Sequence, residues 1–263
     1  MITSLANEKV RYARALLRRR ARLREGRCLI EGLRLIDEAL RAGSIPALVF
    51  CTPETLADAR GAALYERCRA LGAAAYEASA EVVASLSDTV TPQGIVAVVP
   101  FPSPSPASAP GLTLVVDGLR DPGNLGTLLR SAAASGAERV LLGPGTVDPY
   151  SPKVLRSAMG AHFRLPPEVA SWAGVAEALR GRPVWLADAR GEARYDLVDW
   201  TEPCGLIIGG EAEGASPQAA SLATGRVAIP LARGVESLNA AVAASVILFE
   251  AARQRRAAGV SRP

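Results

Sequence analysis

The stretch that most constrains this 263-residue chain runs from Gly205 to Glu250, GLIIGGEAEGASPQAASLATGRVAIPLARGVESLNAAVAASVILFE. It opens on an apolar run, Gly205 to Ile208, whose length suits a buried strand. The run breaks at Gly209-Gly210, where backbone can turn or approach a ligand with no Cβ in the way. Two acids, Glu211 and Glu213, follow. A second short strand, Arg226 to Leu231, ends at Ala232-Arg233-Gly234, and Ser237-Leu238-Asn239 opens a long helix rich in Ala, Val, Ile and Leu. Two strand ends therefore run into polar loops, and in open parallel sheets ligands sit outside the carboxyl ends of strands. Acids in the glycine turn repel a diphosphate and favour a cationic or neutral ligand. The chain also lacks G-x-G-x-x-G and G-x-x-x-x-G-K-[ST], the common dinucleotide and nucleotide fingerprints.

Upstream, DPGNLGTLLRSAAASG, Asp121 to Gly136, reads as a loop entering a helix that closes on Gly136. This segment, GGEAEG and IPLARGVESLNAAVAASVILFE follow one another as the three motifs of the SpoU/TrmH family of RNA 2′-O-ribose methyltransferases do. The chain resembles that family over roughly Leu112 to Arg256. More loosely, RCLIEGLRLIDEAL and TPQGIVAVV resemble its small substrate-binding domain. One departure is Ala215, where the family usually carries a larger apolar residue; it bears on packing.

The resemblance implies transfer of the methyl of S-adenosyl-L-methionine to a ribose 2′-hydroxyl of RNA. It implies catalytic roles for Asn124, Arg130, Glu211, Ser237 and Asn239. Gly209, Ile229 and Leu238, with Gly210 and Leu231 beside them, carry over as cofactor contacts made largely by backbone. It also implies a homodimer, and a C-terminal segment threaded into a deep trefoil knot that forms the cofactor pocket. Pattern alone reads the same elements as doubly wound and unknotted, since knots are nearly absent from folds. Glu211 is expected to orient Arg130 or the ribose. Arg130 itself has two open readings. It is either a strongly perturbed base, despite a free pKa above about 12, or a permanent cation that grips the target phosphate and stabilises the alkoxide. Asn124 and Ser237 also suit helix capping. His162, the lone histidine, is expected to be structural or interfacial rather than catalytic.

The rest of the chain supplies a second domain. Residues 1–27 hold Arg11, Arg14, Arg18 and Arg22 at helical spacing, with Val10, Ala13, Leu16 and Leu17 interleaved. This reads as one amphipathic basic helix ending at Gly26, either a solvated face or an RNA-backbone contact with salt-dependent affinity. From Arg27 to Val99 strand and helix patterns alternate, one helix spanning Pro53 to Gly72. The turn Thr91-Pro92-Gln93-Gly94 precedes the last strand. PFPSPSPASAPG, Pro100 to Gly111, is an extended linker by composition.

The expected division is therefore a basic arm and RNA-binding domain at 1–100, a linker at 101–111 and the methyltransferase domain at 112–263. The fold class is α/β, a parallel-sheet catalytic domain beside a smaller, ribosomal-protein-like α/β domain. In the former, helix patterns cover Asn124–Ser135, Ser151–Ala161 and Gly174–Leu179.

A net charge of +4 permits RNA binding. Four cysteines without a C-x-x-C pair point to reduced thiols in the cytoplasm and to no metal. No apolar run is long enough for a membrane span. As substrate, 23S ribosomal RNA ranks ahead of transfer RNA. The rivals are a non-catalytic RNA-binding member of the fold and a dinucleotide enzyme, which the missing glycine fingerprint disfavours.

Overall fold

The computed structural model describes residues 1–104, 110–211 and 214–260. Residues 105–109 of the Pro/Ser stretch, and Glu213, lie outside them. In chain order the first elements are α1 (Glu8–Ala15), α2 (Arg19–Glu25), β1 (Arg27–Glu31), α3 (Leu33–Arg41), β2 (Leu48–Cys51), α4 (Pro53–Ala57), α5 (Ala59–Ala70), β3 (Ala74–Glu77), α6 (Ala80–Ser85) and β4 (Ile95–Pro100). Then come β5 (Leu112–Val116), α7 (Pro122–Ser135), β6 (Arg139–Leu142), α8 (Pro152–Ala158), α9 (Ala161–Arg164), β7 (Pro167–Val169) and α10 (Trp172–Ala178). The chain ends with β8 (Val184–Ala187), β9 (Ala193–Arg194), β10 (Cys204–Ile208), α11 (Pro217–Leu222), β11 (Gly225–Ala228) and α12 (Ala240–Ala257).

Contacts group the chain into two units, Met1–Ser103 with Asp148–Arg164, and Pro104–Val147 with Leu165–Pro263. The first unit is built on a sheet of order β1-β4-β2-β3, with β4 antiparallel to both neighbours and β2 parallel to β3. Strand side chains alternate between faces. Cys28, Ile30, Val49, Cys51, Ile95 and Ala97 enter one core cluster. Leu29, Phe50, Val96 and Val98 enter another, with Val10, Ala13 and Leu16 at the N-terminus. Tyr150, Leu155 and Phe163 belong to the first cluster, which is why Asp148–Arg164 groups with this unit and not with its sequence neighbours.

Three expected helices are each broken in two, for local reasons. The basic helix stops at Ala15 and restarts at Arg19. Arg22 reaches back and donates from Nη1 to the carbonyls of Leu16 and Leu17, at 2.8 and 2.7 Å, satisfying groups that a continuous helix would have used itself. Its Nη2 donates to Asp148. Arg22 is only 3% exposed, so it is a structural residue and not the RNA contact its spacing suggested. Arg11, Arg14 and Arg18 are exposed. The helix from Pro53 breaks at Asp58, whose extended backbone and Oδ1 cap α5. The helix from Ser151 breaks at Met159 and Gly160, which adopt φ of 50° and 88°. His162 is buried, its Nε2 is 2.7 Å from the carbonyl of Pro149, and burial pushes its pKa down to about 4. It is therefore neutral at neutral pH.

The second unit is a seven-stranded parallel sheet of order β7-β6-β5-β10-β8-β11-β9. Every residue of β5 and β10 is buried, as expected of a parallel sheet covered on both faces. Val115, Leu141, Leu186 and Ile207 pack with Val175 and Ala219 of α10 and α11 on one face. Sequence-adjacent strands step outward from β5 through β6 to β7, while β10 flanks β5 on the other side. The loops after β5 and β10 thus lie together where the strand order reverses.

The four cysteines are buried free thiols. Among the described residues no helix is long and apolar enough to cross a membrane, and no cluster of His, Cys, Asp and Glu could hold a metal ion.

Candidate active site

Three loops converge at the carboxyl end of the second unit's sheet. The loop after β5 leads into α7, whose N-cap is Asp121: its Oδ1 accepts the Asn124 N–H at 2.7 Å, with Pro122 in the favoured first turn. Asn124 is therefore not the cap that its position allowed. Its side chain is left to face outward from the first turn. The loop after β10 turns at Gly209-Gly210, and a bridge between Gly210 and Gly214 holds its ends together. Asp117, at the end of β5 and 4% exposed, accepts the Ser216 N–H at 2.5 Å and fastens this loop to β5. The loop after β11 ends at Asn239, which caps α12 by accepting the N–H groups of Ala241 and Val242 at 3.0 and 3.2 Å. Ser237 is not the cap.

One hydrogen-bonded chain joins the three loops. Asn124 Nδ2 donates to Glu211 Oε1 at 2.8 Å, and Asn239 Nδ2 donates to Asn124 Oδ1 at 3.1 Å. Each amide uses its donor and acceptor in one fixed orientation, so the Asn124 side chain is locked between a carboxylate and an amide. Glu211 thus bonds Asn124 and not Arg130. Arg130 lies exposed on α7, hydrogen-bonded to none of the described residues. It is six positions beyond Asn124, a different side of the helix and roughly 9 Å along its axis.

Beside the chain is a cavity of about 380 Å³. Gly209, Gly210, Ile229, Leu231 and Leu238, the five expected cofactor positions, all line it. So do Glu211, Ser237 and Asn239. Its apolar floor comes from Ile208, Val227 and Ile247, together with Ala240 and Ala243, whose small side chains were expected only to let the helix pack closely. Their signal was available: Ile208 ends β10, Val227 lies within β11, and the other three fall in the first eight residues of α12. Small residues let α12 press against α7, where Ser245 Oγ also donates to Ser131 Oγ at 2.7 Å. Arg233, in the loop rimming this cavity, holds a left-handed φ of 56°, a conformation that costs a non-glycine residue about 1 kcal/mol or more.

The volume falls within the roughly 300–1,000 Å³ of small-molecule sites. The lining fits S-adenosylmethionine: aliphatic walls for an adenine, acidic and amide groups for hydroxyls and for a sulfonium, and no cationic side chain among the described lining residues.

Comparison with known proteins agrees with this geometry. The family model described as the SpoU rRNA Methylase family matches residues 111–249, and that of the MRM3-like substrate binding domain matches residues 7–97. A Synechocystis protein described as an uncharacterized tRNA/rRNA methyltransferase is 37% identical, over 98% of this chain and 95% of its own length. The Bacillus subtilis 23S rRNA (guanosine(2553)-2'-O)-methyltransferase RlmP is 32% identical, over 94% of this chain and 97% of its own. Among solved structures, the SpoU methyltransferase AviRb from Streptomyces viridochromogenes in complex with AdoMet superposes with a TM-score of 0.86 at 30% identity, covering 95% of this chain and 98% of that one.

Proposed function

The chain belongs to the SpoU rRNA methylase family, and from that premise we propose that it transfers the methyl of S-adenosylmethionine to a ribose 2′-hydroxyl of ribosomal RNA, 23S rRNA ahead of tRNA. The observation that carries this reading is the Glu211–Asn124–Asn239 chain at the rim of the cavity. S-adenosylmethionine, when bound, supplies an electrophilic methyl on a sulfonium. The side chains have the complementary task. A ribose hydroxyl is a poor nucleophile near neutral pH, and it needs a proton acceptor or a charge that stabilises the developing alkoxide. Glu211 and Asn124 offer a carboxylate and an amide held in register. Ser237 and Asn239 close the other side of the cavity. Arg130 is the cation for the alkoxide and its neighbouring phosphate. The backbone at Gly209, Gly210, Ile229, Leu231 and Leu238 holds the cofactor.

A test follows from the hydrogen bonds. Asn124→Ala removes the link between Glu211 and Asn239 and frees both. Misplacement of reacting groups by an ångström costs up to about 100-fold. The expected result is a kcat loss of that order, with cofactor affinity by calorimetry within about twofold of wild type. Equal loss of cofactor binding would reassign Asn124 to the cofactor site.

The first unit is the RNA-binding part in this reading, with the basic arm residues Arg11, Arg14 and Arg18 on phosphates. Each phosphate contact adds about 0.9 to the slope of log affinity against log salt for a duplex and about 0.7 for a single strand. Arg11, Arg14 and Arg18 changed together to Ala should lower that slope for rRNA by about 2–3, measured by filter binding across salt. An unchanged slope would make the arm a solvated face.

Two further features belong to the proposal. One is a homodimer through the catalytic unit, supported by Val242 and Phe249, 48% and 45% exposed and seven positions apart on one face of α12. The other is a trefoil knot around the cavity, supported by the loops after β8, β10 and β11 all lining one pocket. In this reading the protein acts in the cytoplasm, where its four free thiols stay reduced.

A further inference from the structure

A second cavity, of about 560 Å³, lies on the other side of Glu211. Gly210 and Glu211 line both cavities, so the two share a wall. The remaining lining comes from the β5–α7 loop, from Pro144 and Gly145 after β6, and from the start of α11 at Ser216 and Pro217. Asp121 and the Gly210–Gly214 turn bring two of the motifs to this space, and of the five expected cofactor positions only Gly210 reaches it.

We infer that this cavity receives the target nucleoside itself, unstacked from its strand, with its ribose against the Glu211 wall. The inference rests on the proposed methyl transfer and adds where the acceptor sits. Donor and acceptor must meet, and a shared wall is where groups in two adjoining cavities are nearest. The size fits a nucleoside, being within the roughly 300–1,000 Å³ of small-molecule sites. The shape fits too. Gly118 and Gly145 adopt φ of 66° and 84°, and a Cβ built on Gly145 would lie 3.7 Å from the Gly118 Cα. Bare backbone from both loops therefore forms one side, against which a flat base can lie.

The polar groups argue for the nucleoside and against its phosphate. Asp117, Asp121 and Glu211 all reach this cavity, and each is fixed by one oxygen: to Ser216 N–H, to Asn124 N–H and to the Asn124 side chain. Fixed carboxylates accept hydrogen bonds from ribose hydroxyls and base N–H groups, and repel a phosphate. Arg120 is the one cationic side chain among the described lining residues. Sequence-specific reading of RNA usually takes splayed, single-stranded bases in this way, because an A-form duplex hides its base edges.

The experiment fills the cavity without touching Glu211, Asn124 or the cofactor side. Pro217 is exposed at the first position of α11, where Trp is tolerated by the helix. Its neighbour Gln218 is also exposed but lines neither cavity, so Gln218→Trp is the control. Methyl transfer to rRNA, cofactor affinity by calorimetry and melting temperature are measured for the full chain. Pro217→Trp should lower kcat/KM for rRNA at least about tenfold with unchanged cofactor affinity, and Gln218→Trp should stay within about twofold. Pro144→Trp, which fills the same space from the opposite loop, should repeat the loss. If wild type is active and both cavity variants match it, this inference falls alone. A wild type that binds cofactor but methylates no RNA overturns the methyl-transfer reading and this one with it.

Discussion

Arg130→Ala is expected to lower the rate of methyl transfer to rRNA by about 10²–10³, the range for removing one group that stabilises a developing oxyanion. The variant should otherwise be quiet. Arg130 is exposed and bonds none of the described residues, so nothing in the fold depends on it. Alanine is also the better helix former. Melting temperature and cofactor affinity should therefore match wild type, and the loss should appear in kcat. Arg130→Lys separates the two readings of its role. A lysine keeps the charge and gives up the planar fork. Substantial rescue by Lys supports a permanent cation beside the alkoxide; no rescue supports a role special to the guanidinium. Full activity of Arg130→Ala would remove it from the chemistry.

The second large effect is on stability. Arg22→Ala strips the partner from Asp148, whose side chain is 11% exposed, and leaves the Leu16 and Leu17 carbonyls without their donor. Breaking a buried pair from one side costs about 3–5 kcal/mol, because a charge stays buried and uncompensated. Urea unfolding should show a loss of that size. Replacing both partners, Arg22→Met with Asp148→Leu, should recover much of it, since neither charge is then left alone. A loss under about 1 kcal/mol, together with weaker rRNA binding, would return Arg22 to the RNA-contact group.

These two arginines mark what the sequence discloses and what it does not. Both sit at helical spacing in a charged or apolar helix, and pattern cannot say which one is buried. Arg22 is decided by a contact with Asp148, 126 positions away. The same partner-dependence broke the basic helix at Leu16, where local propensity favoured continuing. By contrast β5 and β10 were legible, because strands buried on both faces are continuous apolar runs. The edge strands β7 and β9, of three and two residues, are too short to carry a period. At the site, the motif residues were legible one by one. Their connection was not: Asn124 meets Glu211 across 87 positions and Asn239 across 115. Asp121 was the missed cap, although an acid before Pro122 is a recognised helix start. With Asp121 capping, Asn124 is free to make those bonds.

The most direct test of ribose methylation takes rRNA from cells lacking this gene. That RNA is incubated with the purified protein and labelled S-adenosylmethionine, digested to nucleosides and analysed by mass spectrometry, with transfer RNA from the same cells alongside. Label is expected on the ribose of a single rRNA nucleoside, approaching one methyl per molecule, and none on tRNA. Label on a base, or no transfer to RNA by a protein that binds the cofactor, would contradict it.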